Sequence, residues 1–294
     1  IIVDLKPDDF AARRKIGLIY LEQKRWADAI TVFRAILDLN PHLEPVRYYL
    51  GSAYEKLSEW GLALAAFEGI NKDSALYDDA LSHLSFIYLE NDRIDEAITL
   101  LESRKASGKP RPQIYHYLAS LYMANDQHEK AISVVDEGVQ RYPDNIELLY
   151  QKGLVLERSG LHEEAGQAMK DVIALDDQHA EALNFLAYAY AVENRHLDEA
   201  LEYAERAVKR DPAAHILDTL GWVYYRLGRF TDALKVIEEA SRQLSEDAVI
   251  FEHLGDIHLA LGNREEARTA FERALQLQPD NIDLRDKLEN LSDQ

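Results

Sequence analysis

Apolar side chains recur along this chain in two alternating sets, and each set has the spacing of one helical face. In the stretch from residue 214 to residue 247 the first set is Leu220, Gly221 and Tyr224, and the second set is Ala233, Ile237 and Ala240. Residues at i, i+1 and i+4, or at i, i+4 and i+7, lie on one side of an α-helix. The pattern therefore predicts two amphipathic helices in this stretch.

The same pattern returns 34 residues later, where Leu254 and Gly255 repeat the first pair. A fixed period of this length indicates supersecondary units that stack on one another. Gly228 and Gly262 follow the first helix of each unit, where a helix end favours a left-handed residue. Each unit is thus predicted to be a helical hairpin whose small residues let the two helices approach closely.

The period can be followed through most of the chain. Eight repeats span residues 10–281, with starts at residues 10, 44, 78, 112, 146, 180, 214 and 248. In the sixth repeat the small residue of the second helix is Ala200, one position late, so the turn from Glu193 to His196 holds an inserted residue. Residues 1–9 match the end of a second helix, and we expect them to be the remnant of a preceding repeat.

Two further features depart from the regular pattern. In the stretch 103–112, Arg104 replaces a small residue and Pro110 and Pro112 follow, which favours a break in the helix and a bend in the array, with an ordinary turn as the alternative. Residues 282–294 are predicted to form a capping helix, whose charged outer face covers the end of the last repeat. Its inward residues are predicted to be Ile282, Leu288 and Leu291, and its outward residues Asp283, Asp286, Lys287 and Glu289.

Composition and motifs exclude several classes of partner and of chemistry. A formal net charge of -20 argues against a nucleic-acid partner, because phosphate binding needs clustered Lys and Arg. The absence of cysteine excludes disulfides and thiolate chemistry. The apolar runs are far shorter than the ~20 residues that span a bilayer. We find no phosphate loop, nucleophile elbow or paired-histidine metal motif, so no catalytic, cofactor or metal site is predicted and the chain is not expected to be an enzyme.

The Leu-Gly, Tyr and Ala positions over residues 10–281 resemble the tetratricopeptide repeat. The resemblance implies an all-α fold, a right-handed α-solenoid of helix-turn-helix units. It also implies that the first helices line a concave groove, in which positions 2, 5, 6, 9, 12 and 13 of each repeat meet a protein or peptide partner.

Aromatic side chains are frequent at these groove positions. The predicted binding residues are Tyr48, Tyr49, Phe86, Tyr117, Tyr150, Asn184, Phe185, Tyr188, Trp222 and Tyr225. Tyr and Trp dominate binding hot spots, so the set indicates an interaction surface, although packing between adjacent first helices is the alternative. Phe185, Tyr188, Trp222 and Tyr225 are expected to form one cluster that anchors the partner.

The charges of the groove suggest what it binds. The Lys and Asn residues with which some tetratricopeptide domains hold a C-terminal carboxylate are absent here. Acidic residues, including Glu181, Asp218 and Glu252, outnumber basic ones at the groove positions. A mildly basic segment with apolar side chains therefore fits better than an acidic one.

The stretch from Ala182 to Arg229 also resembles bacterial tetratricopeptide proteins of the cell envelope, some of which are lipoprotein adaptors for periplasmic proteases. That resemblance favours the periplasm or the outer membrane over the cytoplasm. The sequence as a whole predicts a non-catalytic scaffold or adaptor. The alternatives are a structural module that self-associates through its N-terminal end, and a regulatory part of a larger enzyme.

Overall fold

The computed structural model describes residues 9–108 and 110–292, and every regular element in these ranges is an α-helix. The all-α prediction is confirmed. The chain divides into two compact units, Ile1–Leu148 and Leu149–Gln294. The helices of the first unit are α1 Phe10–Glu22, α2 Trp26–Leu39, α3 Glu44–Lys56, α4 Trp60–Glu68, α5 Tyr77–Glu90, α6 Ile94–Ala106, α7 Pro112–Ala124 and α8 His128–Arg141.

The helix α9, Ile146–Arg158, contains the boundary between the units. The helices that follow are α10 His162–Leu175, α11 Ala180–Val192, α12 Leu197–Arg210, α13 Ala214–Arg226, α14 Phe230–Gln243, α15 Ala248–Ala260, α16 Arg264–Leu277 and α17 Ile282–Ser292. The division into eight repeats and the bend near residues 103–112 remain predictions. Residues 1–8 of the predicted repeat remnant lie outside the described residues.

A left-handed residue reverses the chain between the two helices of each hairpin. Gly228 and Gly262 have φ values of 74° and 79°, as their positions in the sequence predict. In other turns a non-glycine residue takes this conformation: Lys24, Ser58, Asp92, Asp126 and Asn194. The inserted residue of the α11–α12 turn adds a second one, because His196 also has a positive φ of 50°. This turn chemistry fixes the antiparallel return of each second helix.

Small residues of the first helices lie against large side chains of their partner helices. In the first unit the fully buried Phe33 and Phe67 lie beside Gly17 and Gly51. In the second unit the fully buried Phe271 covers Gly255 in the same way. The core of each unit is therefore a row of hairpin interiors, and the first helices keep one face for other contacts.

The junction after α6 is held by an ion-pair network. Asp78 of α5 is 6% exposed, and its carboxylate accepts hydrogen bonds from Nε of Arg104 at 2.5 Å and from Nε of Arg111 at 2.8 Å. Arg111 also donates to the carbonyl of Ala75 at 3.2 Å. The arginine that breaks the small-residue pattern thus ties the end of α6 back to α5.

The C-terminal helix α17 differs from its prediction in two side chains. Ile282 is 68% exposed, whereas Leu284 is fully buried against the α15–α16 hairpin. Leu284, Leu288 and Leu291 share one face at i, i+4 and i+7, while Ile282 lies about 200° away from Leu284 around the helix. Lys287 was predicted to point outward but turns inward, where it donates to Glu252 and Asp256 at 2.8 Å each. A capping role for α17 remains a prediction.

Candidate functional site

In the first unit the predicted groove residues lie on α3, α5 and α7, and several are held by contacts within the chain. The hydroxyl of Tyr48 is 2.9 Å from Nε2 of His83, whose Nδ1 lies 2.5 Å from the carboxylate of Glu55. Phe86 is 44% exposed, and its ring lies 6.2 Å from that of Trp60. The remaining two residues, Tyr49 and Tyr117, are half-buried.

In the second unit four predicted residues lie around one cavity. Tyr150 of α9 and Asn184, Phe185 and Tyr188 of α11 line a cavity of about 470 Å³. Tyr188 is 42% exposed, while the other three are half-buried. The cavity is large enough for one or two apolar side chains and lies within the size range of ligand sites. Three of the five predicted aromatic residues of the second unit, Tyr150, Phe185 and Tyr188, therefore converge on it.

Carboxylates surround this cavity. Glu157 pairs with Nδ1 of His162 at 2.9 Å, and Glu181 pairs with Nε2 of His215 at 3.1 Å. The Glu157 carboxylate raises the pKa of His162 through their hydrogen bond and their charge attraction. Arg195, which also lines the cavity, is bound to Glu193.

Tyr188 lies beside further negative charge. Burial, followed by the carboxylates of Asp218 and Glu252, raises the pKa of its hydroxyl. Asn184, one helical turn earlier on α11, is half-buried, and its amide oxygen is buried without a hydrogen-bond partner among the described residues. This part of α11 therefore places an exposed aromatic ring next to a buried, unpaired amide oxygen, in an acidic environment.

The predicted four-residue cluster is divided into two groups. Phe185 and Tyr188 line the cavity, whereas Trp222 stacks on Tyr225 with ring centroids 4.7 Å apart and on His253 of α15 at 4.2 Å. Trp222 also packs against the buried cluster that joins α11, α12 and α13. The half-buried ring therefore packs against residues of its own helix and of the neighbouring first helix, because these helices lie close together.

Asp218 also differs from its predicted place. It was counted among the acidic groove residues, but it is 7% exposed and accepts a hydrogen bond from Nδ1 of His253 at 2.8 Å. His253 itself is 7% exposed. The pair lies between α13 and α15 and cannot meet a partner directly.

Replacing Trp222 by alanine is expected to lower the free energy of unfolding by about 2 kcal/mol. Removal of a fully buried Trp costs about 3–5 kcal/mol, and Trp222 is half-buried between Tyr225 and His253. Denaturant unfolding measures this loss, with Tyr188→Ala as the exposed aromatic control at about 0.5 kcal/mol or less. Wild-type stability of Trp222→Ala, combined with weakened partner binding, would show that the ring belongs to the binding surface.

Sequence reasoning missed Lys287 as a groove-facing residue and the buried position of His253. Each lies 35 residues after the carboxylate it binds, Glu252 and Asp218 respectively. That spacing, one period plus one residue, was the available signal. The groove positions of a single repeat do not contain this signal, because each pair joins two successive repeats.

The described residues contain no group of three His, Cys, Asp or Glu side chains that could hold a metal ion. None of the helices within 9–108 and 110–292 has the length and apolar character needed to cross a bilayer.

Comparison with known proteins identifies the repeat. A tetratricopeptide repeat family model matches residues 1–44, 150–215 and 219–282, more than half of the chain, and a second tetratricopeptide model matches residues 112–155. The TPR repeat-containing protein PA4667 of Pseudomonas aeruginosa is 32% identical over 123 residues, which are 42% of this chain. The match covers 21% of that protein, so the aligned stretch corresponds to about a fifth of its length.

Solved structures share the fold at low sequence identity. The chain is similar to one in the crystal structure of the APC/C hetero-tetramer Cut9-Hcn1, with a TM-score of 0.65, 16% identity, and coverage of 90% of this chain and 52% of that one. A tetratricopeptide repeat protein from Parabacteroides merdae has a TM-score of 0.53 and 16% identity, and the match covers 96% of this chain and 98% of that one.

The helical hairpins, the period and the family match agree with one another. The resemblance to tetratricopeptide repeats is confirmed, and the fold is a helical-repeat solenoid. This chain belongs to the tetratricopeptide repeat family, whose repeats generally mediate protein–protein interactions as scaffolds or adaptors.

Proposed function

We propose that this chain is a non-catalytic scaffold that binds a segment of another protein on the inner face of α9 and α11. The observation that carries this proposal is the convergence of Tyr150, Phe185 and Tyr188 on one cavity of about 470 Å³. Aromatic side chains of this kind provide large contact area at low cost in conformational entropy. The exposed ring of Tyr188 gives a partner access to the cavity.

The chemistry of the cavity favours a protein segment with an apolar side chain next to a basic one. An apolar anchor fits against Phe185 and Tyr188, while Glu157 and Glu181 supply negative charge at the same surface. The buried apolar side chain supplies most of the affinity, while the charges orient the bound segment and speed its association. An acidic partner is disfavoured by the same carboxylates.

The test begins with peptides selected against the protein from a random-peptide display library. A selected peptide, made synthetically with a fluorophore, is titrated with the wild-type protein and with Tyr188→Ala by fluorescence anisotropy. We expect Tyr188→Ala to weaken binding by about 2 kcal/mol and to change the free energy of unfolding by about 0.5 kcal/mol or less.

Leu175→Ala is the matched control, because Leu175 is 45% exposed at the end of α10 and does not line the cavity. Its affinity for the peptide should equal that of the wild type. A peptide that binds equally well to the wild type, Tyr188→Ala and Phe185→Ala places the binding surface elsewhere. A library that yields no binder removes the proposed function itself.

A further inference from the structure

Neighbouring first helices are joined by a contact that recurs along the chain. His253 of α15 bonds to Asp218 of α13, 35 residues earlier, and its ring covers Trp222 one turn further along α13. In the same way Lys287 of α17 binds Glu252 of α15, again 35 residues earlier, and also Asp256 one turn further along. In both cases one side chain contacts two residues that are four positions apart on the preceding first helix.

The equivalent place between α11 and α13 lacks such a donor. The residue 35 positions after Asn184 is Thr219, which is short and donates its hydroxyl to the carbonyl of His215 in its own helix at 3.1 Å. Asn184 correspondingly keeps an amide oxygen without a partner among the described residues. We call the place defined by Asn184, Tyr188 and Thr219 the open position.

Tyr188, at the open position, also differs in exposure from its counterparts on the next two first helices. Tyr188 is 42% exposed. Trp222, at the same place on α13, is half-buried under His253, and the side chain of Asp256, at the same place on α15, is 16% exposed under Lys287. The exposed ring and the unused acceptor thus occur together, at the place where the donor of the next helix is missing.

We propose that the open position receives an arginine side chain of the bound protein segment, with the guanidinium on the face of Tyr188 and hydrogen-bonded to Asn184. This inference rests on the proposed function and names the side chain by which the partner is recognised. Asn184 and Tyr188 also line the cavity. A segment whose apolar anchor lies in the cavity can therefore place a neighbouring residue at the open position.

Three observations select arginine. Glu157 and Glu181 line the same cavity as Tyr188, so the surroundings of its ring favour a cation. A planar guanidinium stacks on an aromatic ring while its edge still donates hydrogen bonds, which an ammonium group does less well. The Asn184 amide oxygen is buried as it stands, and a half-turn of the side chain about χ2 brings it to the position of the amide nitrogen, where it accepts a bond from the guanidinium. The chain itself places the nitrogen donors of His253 and Lys287 at the equivalent places.

The experiment uses a synthetic peptide obtained by display selection and its copy with each arginine in turn replaced by citrulline, which keeps the shape but loses the charge. We expect one arginine whose replacement weakens binding to the wild-type protein about tenfold. The same replacement should have less than a twofold effect on binding to Asn184→Leu, because that variant has already lost the acceptor. A copy with lysine at this position should bind with intermediate affinity.

A second variant fills the open position from within the chain. Thr219→Lys supplies a side chain like that of Lys287, and we expect it to weaken peptide binding at least tenfold with a melting temperature no lower than that of Asn184→Leu. Because Thr219 is 3% exposed, the lysine variant can be destabilised by crowding. The result for Asn184→Leu then decides the question without it.

The outcomes separate this inference from the proposed function. Peptides that lose affinity in Tyr188→Ala but contain no arginine, or are insensitive to citrulline, overturn the inference and leave the proposed function standing. Equal citrulline effects on the wild type and Asn184→Leu also overturn it, since the arginine then binds elsewhere. The absence of any groove-dependent peptide overturns both.

Discussion

Replacing Arg104 by methionine should lower the free energy of unfolding at pH 7 by about 3 kcal/mol. Removing one partner of a buried ion pair typically costs about 3–5 kcal/mol, because a charge is left buried without compensation. Asp78 is 6% exposed, and Arg111, which remains in the variant, is 44% exposed in its side chain and compensates only in part. Denaturant unfolding of the whole chain measures the effect.

The double replacement Asp78→Leu with Arg104→Met is the control for this variant. An apolar pair of similar volume often matches or exceeds the stability of a buried ion pair, so the double variant should recover most of the loss. If the single variant costs less than about 1 kcal/mol, as exposed ion pairs do, the network does not hold the junction after α6.

The pH dependence provides an independent test of the same network. Burial raises the pKa of Asp78, but the hydrogen bonds and charges of Arg104 and Arg111 outweigh it, and the net pKa is lowered. A lowered pKa stabilises the fold above the pKa of the unfolded state, about 3.9, and this contribution is lost as the pH falls through the folded-state pKa. Arg104→Met removes one of the two arginines that lower the pKa of Asp78. Acid unfolding of this variant should therefore begin at a higher pH than acid unfolding of the wild type.

Gly255→Ala should destabilise the protein by about 2 kcal/mol. A Cβ at Gly255 would lie 2.5 Å from Cδ1 and 2.9 Å from Cζ of the fully buried Phe271. A rigid ring in a closed hairpin cannot move aside without shifting the helices, and overpacking of this kind costs about 1–3 kcal/mol.

Gly221→Ala is the matched control from the preceding helix pair. A Cβ there would be 3.4 Å from Cβ of Ile237, an ordinary van der Waals contact. The change should be neutral or stabilising by up to about 1 kcal/mol, because alanine favours the helix over glycine. Equal losses in the two variants would mean that helix separation is not set by these local contacts.

The paired glycines also show what could be predicted from the sequence. The period and the apolar spacing were sufficient for the helical hairpins, because both follow from 3.6 residues per turn. The spacing could not show that Gly221 has room for a methyl group while Gly255 does not. That difference depends on whether the facing residue is the branched Ile237 or the planar Phe271.

The candidate site could be predicted only in part. Helical position predicts that Phe185 and Tyr188 share the groove face of α11, and both residues line the cavity. The same reasoning could not foresee that Trp222 is covered by His253, because the cover comes from the next repeat. Whether a groove position is free depends on the residue 35 positions later, a pairing that becomes visible only once the helices are stacked.

Site-specific photocrosslinking tests the central claim most directly. A photoreactive benzoylphenylalanine is placed at position 188 or, as a control of similar exposure, at position 175, and each protein is irradiated with the fluorescent peptide obtained by display selection. A binding surface on the inner face of α9 and α11 predicts a covalent adduct from position 188 and none from position 175. An adduct from position 175 alone, or equal adducts from both positions, would contradict it.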